Sequence, residues 1–460
     1  MRKGTAVTIA IVILVLLAGL GLGLPYYAGV QTEKHFRQTI EATIQDSPIS
    51  IKEYDYQRGL LNARASSSLE FKSVSGSVLI PVEHEIQHGL SLMNLNLAKV
   101  VSTVRLPAEA PTALKELFKN QAPLKISTVV GTDSSIRSEV ASPPFDGHLP
   151  GDEQPEVHWK GISGSVSISP DWNVGAMALV APSLSIQSPK GVQVSFEQAT
   201  MEGDLKRSSA TGFWLGLSRL GLKKLALAEK DEQGAPAELA LTDNCQMTAQ
   251  VSEKDGALEA VYTVLFDSMK TAGKDFNKAT IEIRLSNLDS QVLMKLRDTL
   301  RDLNKQQADE STRNQTTVKV VLELLPRFLS RSPELAIPRL AVGTSDGQVQ
   351  GDGRLKYIGG ENIQNFQVLK DLEGEAKLTA PKPLVESIAL SVTGIGGKDL
   401  DKALGDKAEA MKRELVQEQL SELIQGGIIE DQGGTYASHI VLKGGALTLN
   451  GKPLPMPPGS

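Results

Sequence analysis

The pattern richest in chemistry is His84-Glu85-Ile86-Gln87-His88. In H-E-x-x-H, two histidines one helical turn apart bind zinc and the glutamate acts as general base of a metallopeptidase. That chemistry requires a helix, because only there do positions i and i+4 converge on one ion. The flanking residues oppose it: Val78-Leu79-Ile80-Pro81-Val82 is β-rich, and Gly89 stops a helix at once. Read as a strand, the run puts Val82, His84, Ile86 and His88 on one face, with the two histidines ~13 Å apart and unable to share an ion. A third ligand would have to come from Glu109 or Glu116, and nothing marks either. A zinc site at His84, Glu85 and His88 is therefore the alternative; a pair of strand histidines is the favoured reading, with no metal and no cofactor.

Other constellations are thinner. Gly394-Ile395-Gly396-Gly397-Lys398-Asp399 resembles a phosphate loop, but Asp399 stands where a metal-binding hydroxyl belongs and the first glycine is misplaced. There is no Gly-x-Ser-x-Gly elbow. Cys245, the single cysteine, excludes an internal disulfide and a CxxC centre, and it has no neighbouring cation to activate its thiol. Asp352 and Glu361 have no partner that sequence can pair with them. No catalytic residue is assigned.

The elements that must position any site follow from the wider pattern. The chain has 460 residues, 40% hydrophobic and 22% charged, which excludes disorder over most of its length. A net charge of −6, with only 10 Phe, 7 Tyr and 3 Trp, opposes nucleic acid, which selects basic stripes and stacking aromatics. Thr5 to Leu24 is almost wholly apolar, long enough for ~30 Å of hydrocarbon, and Tyr26 and Tyr27 follow where an interfacial belt would place them. With Arg2 and Lys3 held inside, the expectation is a single-pass inner-membrane anchor with a cytoplasmic N-terminus and a periplasmic body. A cleaved signal peptide is the competitor, but its apolar run would be shorter and its small-x-small site lies within the run here.

Beyond the anchor, Phe36, Ile40 and Ile44 recur at helical spacing up to Ser47-Pro48. The period then becomes two, most plainly at Leu258, Ala260, Tyr262, Val264 and Phe266. Asp133-Ser134, Pro170-Asp171, Asp255-Gly256 and Asp346-Gly347 punctuate the strands, as in antiparallel meanders. Phe71–Ile80 echoes Trp159–Ile168, through duplication or through two independent uses of Ser-Gly-Ser. Helical period returns at Asp289, a candidate N-cap, with stripes Val292-Leu293-Leu296-Leu300-Leu303 and Val318-Val321-Leu322-Leu325-Phe328, and Pro326 ending or kinking the second helix. A last helix is expected from about Asp399 to Ile424.

Several short motifs resemble the YdgA family of bacterial inner-membrane proteins. Tyr56, Arg58, Gly59 and Leu60 match its Y-x-R-G-L signature, and His88-Gly89 its histidine-glycine strand end, with Leu90 in place of the usual proline. Asn287-Leu288-Asp289 is similar to its strand-to-helix junction, and Asn450-Gly451 to its closing hairpin. The resemblance implies an anchored, β-rich envelope protein and no reaction.

The expected fold is α+β and β-rich: an N-terminal transmembrane helix, then an elongated antiparallel meander with amphipathic helices on one face. Its parts are a cytoplasmic N-terminus (1–3), anchor (4–28), stalk helix (29–48), β-rich domain (49–288), helical segment (289–331) and C-terminal strands and helices (332–460). The expected function is non-enzymatic, binding a lipid or an envelope protein partner along a sheet face or groove, by architectural analogy with AsmA-like proteins. The anchored zinc peptidase and a homodimeric or larger scaffold are the alternatives.

Overall fold

The computed structural model describes residues 27–33, 49–73, 76–89, 96–119, 121–150, 153–230, 236–271, 274–305, 310–359, 368–392 and 406–454. The chain divides into two compact units, residues 1–209 with 225–237 and residues 210–224 with 238–460.

In the first unit a helix, α1, covers residues 27–33. Strands β1 (Ile49–Arg58), β2 (Asn62–Ser73), β3 (Gly76–His88), β4 (Ala98–Val104), β5 (Leu124–Val130) and β6 (Ile136–Ser142) pair in sequence, all antiparallel; a short helix, α2 (Thr112–Leu117), precedes β5. The strands β7 (Phe145–His148) and β8 (Glu156–Trp159) form a hairpin, and β6 pairs onward with β9 (Ile162–Ile168). Both β8 and β9 lie on β10 (Val174–Gln187), which pairs with β11 (Gln193–Arg207). One long hairpin is thus kinked midway. Pro143-Pro144 supplies no amide to a ladder, and Gly161 turns at φ +84° with its Cβ position 2.6 Å from the Ser142 carbonyl, where a side chain would not fit.

Strand β12 (Trp214–Lys230) crosses the division. In the second unit β13 (Pro236–Lys254), β14 (Ala257–Thr271) and β15 (Lys274–Asp289) lead into helices α3 (Ser290–Lys305) and α4 (Glu310–Ser330). The sheet continues through β16 (Glu334–Thr344) and β17 (Gly347–Tyr357). After a helical turn, α5 (Val368–Asp371), comes β18 (Leu372–Pro381), then helices α6 (Lys382–Val392) and α7 (Asp406–Gln425). β20 (Thr435–Lys443) pairs with β18, with the short β19 (Glu430–Asp431) and with β21 (Ala446–Leu449), and β22 (Lys452–Pro453) closes on β21. The pairings from β13 to β18 and of β18 with β20 are all antiparallel. A core of Val416 and Leu420 from α7 and Tyr436 from β20, with Val385, Ala389 and Leu390 of α6 against it, seats the two helices on the sheet.

Two expectations are corrected: a fold that includes a transmembrane helix at 4–28, and a protein that is single-pass in the inner membrane with a periplasmic body. Among the described residues no helix is long and apolar enough to cross a membrane. The physical reason is charge: α4 carries Glu310, Arg313, Lys319, Glu323 and Arg327, and α7 is more highly charged still. Thr5, Leu24 and Tyr26 lie outside the described residues, and Tyr27 is exposed at the start of α1. Most of the expected stalk, residues 34–48, also lies outside them. Pro326 sits inside α4, which runs on to Ser330. The echo falls on unlike features: Phe71–Ile80 spans the β2–β3 hairpin, whereas Trp159–Ile168 spans the break between β8 and β9.

Candidate functional site

Residues 82–88 are strand, so the H-E-x-x-H pattern is split between two faces. Val82, His84, Ile86 and His88 are buried, and Glu85 is exposed on the other side. At strand pitch the histidines stand ~13 Å apart. Among the described residues no group of three or more His, Cys, Asp or Glu could hold a metal ion.

His84 instead bridges three strands. Its Nε2 is 3.0 Å from Ser67 Oγ on β2, and its Nδ1 is 2.8 Å from Ser102 Oγ on β4. A hydroxyl can donate or accept, so a neutral imidazole is satisfied on both nitrogens in either tautomer. Burial holds the His84 pKa down at about 4. Neither serine was evident from sequence, because the register that sets Ser102 opposite His84, and Ser67 two residues along from its partner Ala65, is not local.

His88 belongs to a second structure, the junction that seats α1. Its Nδ1 donates to the Leu60 carbonyl at 3.2 Å, while its buried Nε2 has no partner among the described residues. Gly29 of α1 lies against the ring; a Cβ there would come within 2.5 Å of it, and neighbouring Ala28 is fully buried. Four of the signature residues converge here. Arg58 pairs with Glu33 of α1 at 2.8 Å, and Tyr56 packs against the cluster of Ala63, Ala65, Ile86 and Val100. Gly59 N–H donates to the Asn62 carbonyl in the β1–β2 turn, and the backbone N–H of His88 donates to the Leu61 carbonyl beside Leu60. Burial pushes the Tyr56 phenol up to about 12, with Tyr54 and Glu33 acting in the same sense and Arg58 against them. At Gly89 a Cβ would fall 1.5 Å from the Asn96 carbonyl, so only glycine fits.

The other motifs are also joints. Asp289, almost wholly buried, caps α3 by accepting from Val292 N–H at 2.9 Å and receives Arg327 of α4 at 3.5 Å and Arg331, just beyond that helix, at 3.3 Å. Asn287 adopts φ +60° and donates to the Ser332 carbonyl, and Leu288 pairs with Leu258 of β14. Asn450 and Gly451 take φ +50° and +75° in the tight turn between β21 and β22. The Asn450 side chain donates to the Gly427 and Ile428 carbonyls and accepts from His439 N–H, tying the end of α7 to β20.

What remains with binding character is a surface. In the second unit the register lines up three rows across the strands. One runs Ala249, Tyr262, Ile283 on β13 to β15 and, past the irregularity that leaves Ile283 without a direct partner on β16, Ile337, Gly353, Ala376, Ile440, Leu449 on β16 to β21. The row on one side runs from Met247 through Val264, Ile281, Leu340, Gly351 and Leu378 to Ser438; the other from Val251 through Ala260, Leu285, Leu335, Leu355 and Gly374 to Leu442 and Leu447. Direct cross-strand partners share a face, so this face carries no charged side chain in those rows. A bulge at Ile337–Leu340 keeps the rows aligned. The opposite face holds Glu282 with Arg284, and Glu375 with Lys377 and His439. Tyr262, Ile283, Leu335, Ile337, Leu355, Leu378 and Ile440 are all exposed large apolar residues on the uncharged face. Tyr436, farther along β20, is covered by α6 and α7.

These features define an antiparallel β-sheet protein of amphipathic sheets, with helices seated at joints built from short motifs. Residues 1–457 match the family described as bacterial protein of unknown function (DUF945), and the chain belongs to that family. No curated protein matches it.

Proposed function

We propose that the protein is a non-enzymatic binding module that presents the uncharged face of its sheet to a lipid, and that its family is the one its motifs resemble, the YdgA family. The observation that carries the reading is the run of exposed apolar side chains aligned across β13 to β21 with every nearby charge on the opposite face. Contiguous apolar surface of this kind is costly in water and marks an interaction site. The peptidase alternative loses its support, because His84 and Glu85 point to opposite faces of β3. The test is solvent extraction of the purified full chain followed by mass spectrometry of the extract. Near-stoichiometric lipid is expected; a chain that is lipid-free and takes up none from vesicles overturns the reading.

The scaffold reading rests on a different surface, the exposed Val318, Val321 and Leu322 of α4. It predicts a mass in light scattering that rises with concentration and falls on Leu322→Glu.

A further inference from the structure

We infer that the joint between α1 and His88 is a pH-sensitive latch: a neutral His88 ring keeps α1 seated on the sheet, and protonation at Nε2 undocks it. The hydrogen bond fixes the tautomer. Nδ1 lies 3.2 Å from the Leu60 carbonyl, which can only accept, so Nδ1 carries the proton and Nε2 is the bare nitrogen. That nitrogen belongs to a residue 6% exposed, and no group among the described residues bonds to it. A second proton would therefore make a charged donor with neither an acceptor nor water, among the costliest groups a fold can bury.

The edge of the ring that would take the proton faces α1. A Cβ built on Gly29 would lie 2.5 Å from Cε1, 2.7 Å from Nδ1 and 3.1 Å from Nε2, so the helix backbone rests on the nitrogen-bearing edge. Ala28 and Thr32 are buried on the same helix, the Thr32 hydroxyl donating to the Ala28 carbonyl. Hydrating an imidazolium at this place requires the helix to lift. The groups around the ring supply no unshared counter-charge among the described residues. From α1 comes Glu33, already paired at 2.8 Å with Arg58 of β1, which brings a cation to the same joint. Strand β1 adds the phenols of Tyr54 and Tyr56, and the β1–β2 turn presents Leu60 and Leu61. On β4, Ala98 stands opposite His88, and Lys99 opposes Gln87 on the other face. On β3 itself the next titratable group of this face is His84, ~13 Å away. The joint therefore holds α1 in neutral medium and releases it in acid.

The test is hydrogen–deuterium exchange of the full chain at pH 7.5, 6.5 and 5.5, read as the protection of residues 27–33 after correction for intrinsic exchange at each pH. An imidazole in water takes up its proton at about pH 6.5, so the protection of α1 should fall roughly tenfold between pH 7.5 and 5.5. Two variants should abolish the fall: His88→Asn, which retains a donor for the Leu60 carbonyl, and His88→Phe, which retains a ring. Two others should keep it: Glu33→Gln, which removes the only carboxylate of α1, and His84→Gln, which removes the other buried imidazole of the face. Protection that is flat with pH in the wild type overturns the latch, whether or not the variants fold. So does a fall that survives in both His88 variants, and one that disappears with Glu33→Gln or His84→Gln assigns the effect to those groups and overturns it equally.

Discussion

Lowering the pH should weaken the first unit through one residue, His84. Its pKa is held at about 4 against an ordinary 6.5, and the cause is burial; Glu83 and Glu85 lie on the other side of β3. At pH 7 the imidazole is neutral both folded and unfolded, and the lowered pKa contributes nothing. As pH falls through 6.5 the unfolded chain takes up a proton that the folded chain refuses, so stability is lost progressively until about pH 4. Each tenfold weakening of proton binding corresponds to ~1.4 kcal/mol, giving a full loss of about 3 kcal/mol, of which about 2 is present at pH 5. The assay is urea unfolding of the wild type and of His84→Gln, which does not titrate and retains donors and acceptors for Ser67 and Ser102, at pH 7, 6 and 5. Titration of every other group is common to both proteins and cancels in the difference. The wild-type advantage over the variant should shrink by about 2 kcal/mol between pH 7 and 5, and the imidazole proton resonance of His84 should titrate near pH 4. A difference constant within about 0.5 kcal/mol, with a resonance titrating near 6.5, refutes the reasoning.

Three further outcomes follow from the joints. Asp289→Ala removes a helix cap and strips two arginines of a buried partner, at an expected cost of about 2–3 kcal/mol in thermal or urea unfolding, with Arg331→Ala costing clearly less. Asn450→Ala loses three side-chain hydrogen bonds and a residue suited to positive φ, and should lower stability by about 2 kcal/mol while leaving the far-ultraviolet spectrum unchanged. Gly29→Val drives a branched side chain into His88 and should dislodge α1, read as faster tryptic cleavage at Lys34; Arg58→Ala, which removes a half-exposed ion pair, should have a smaller effect in the same direction.

Local periodicity carried much of the fold. The alternation of Leu258 to Phe266 is β14, Asp289 is the cap of α3, and Asn450-Gly451 is a turn, because each is decided by a few neighbouring residues. Helix α6 was not legible: Pro381-Lys382-Pro383 reads as a turn, yet proline is accommodated in a first helical turn whose amides have no intrahelical partner. The second serine of the His84 bridge, the docking of α1 on His88, and the arginines that reach Asp289 depend on contacts between residues 18 to 59 positions apart, and no local pattern encodes them. The apolar rows were half legible. Each strand shows its own alternation, but that Ile337 stands opposite Gly353, with Ile283 at the neighbouring irregularity, is settled by register and by the shifts on both sides of β16.

That division bears on where activity should be sought. The residues of the signature motifs all lie where a chain segment must be fixed to the sheet: α1 at His88 and Arg58, α3 and α4 at Asp289, the end of α7 at Asn450. Each makes packing or hydrogen-bonding contacts within the chain. The uncharged rows are the opposite case. They cost solvation free energy, the glycines among them give the strands no packing of their own, and among the described residues α6 and α7 relieve the cost at the Tyr436 end. A sheet that served only as a support for its helices would be covered along its apolar side. This one is covered in part, so variants on the exposed rows should alter binding without altering fold, and variants at the joints should do the reverse.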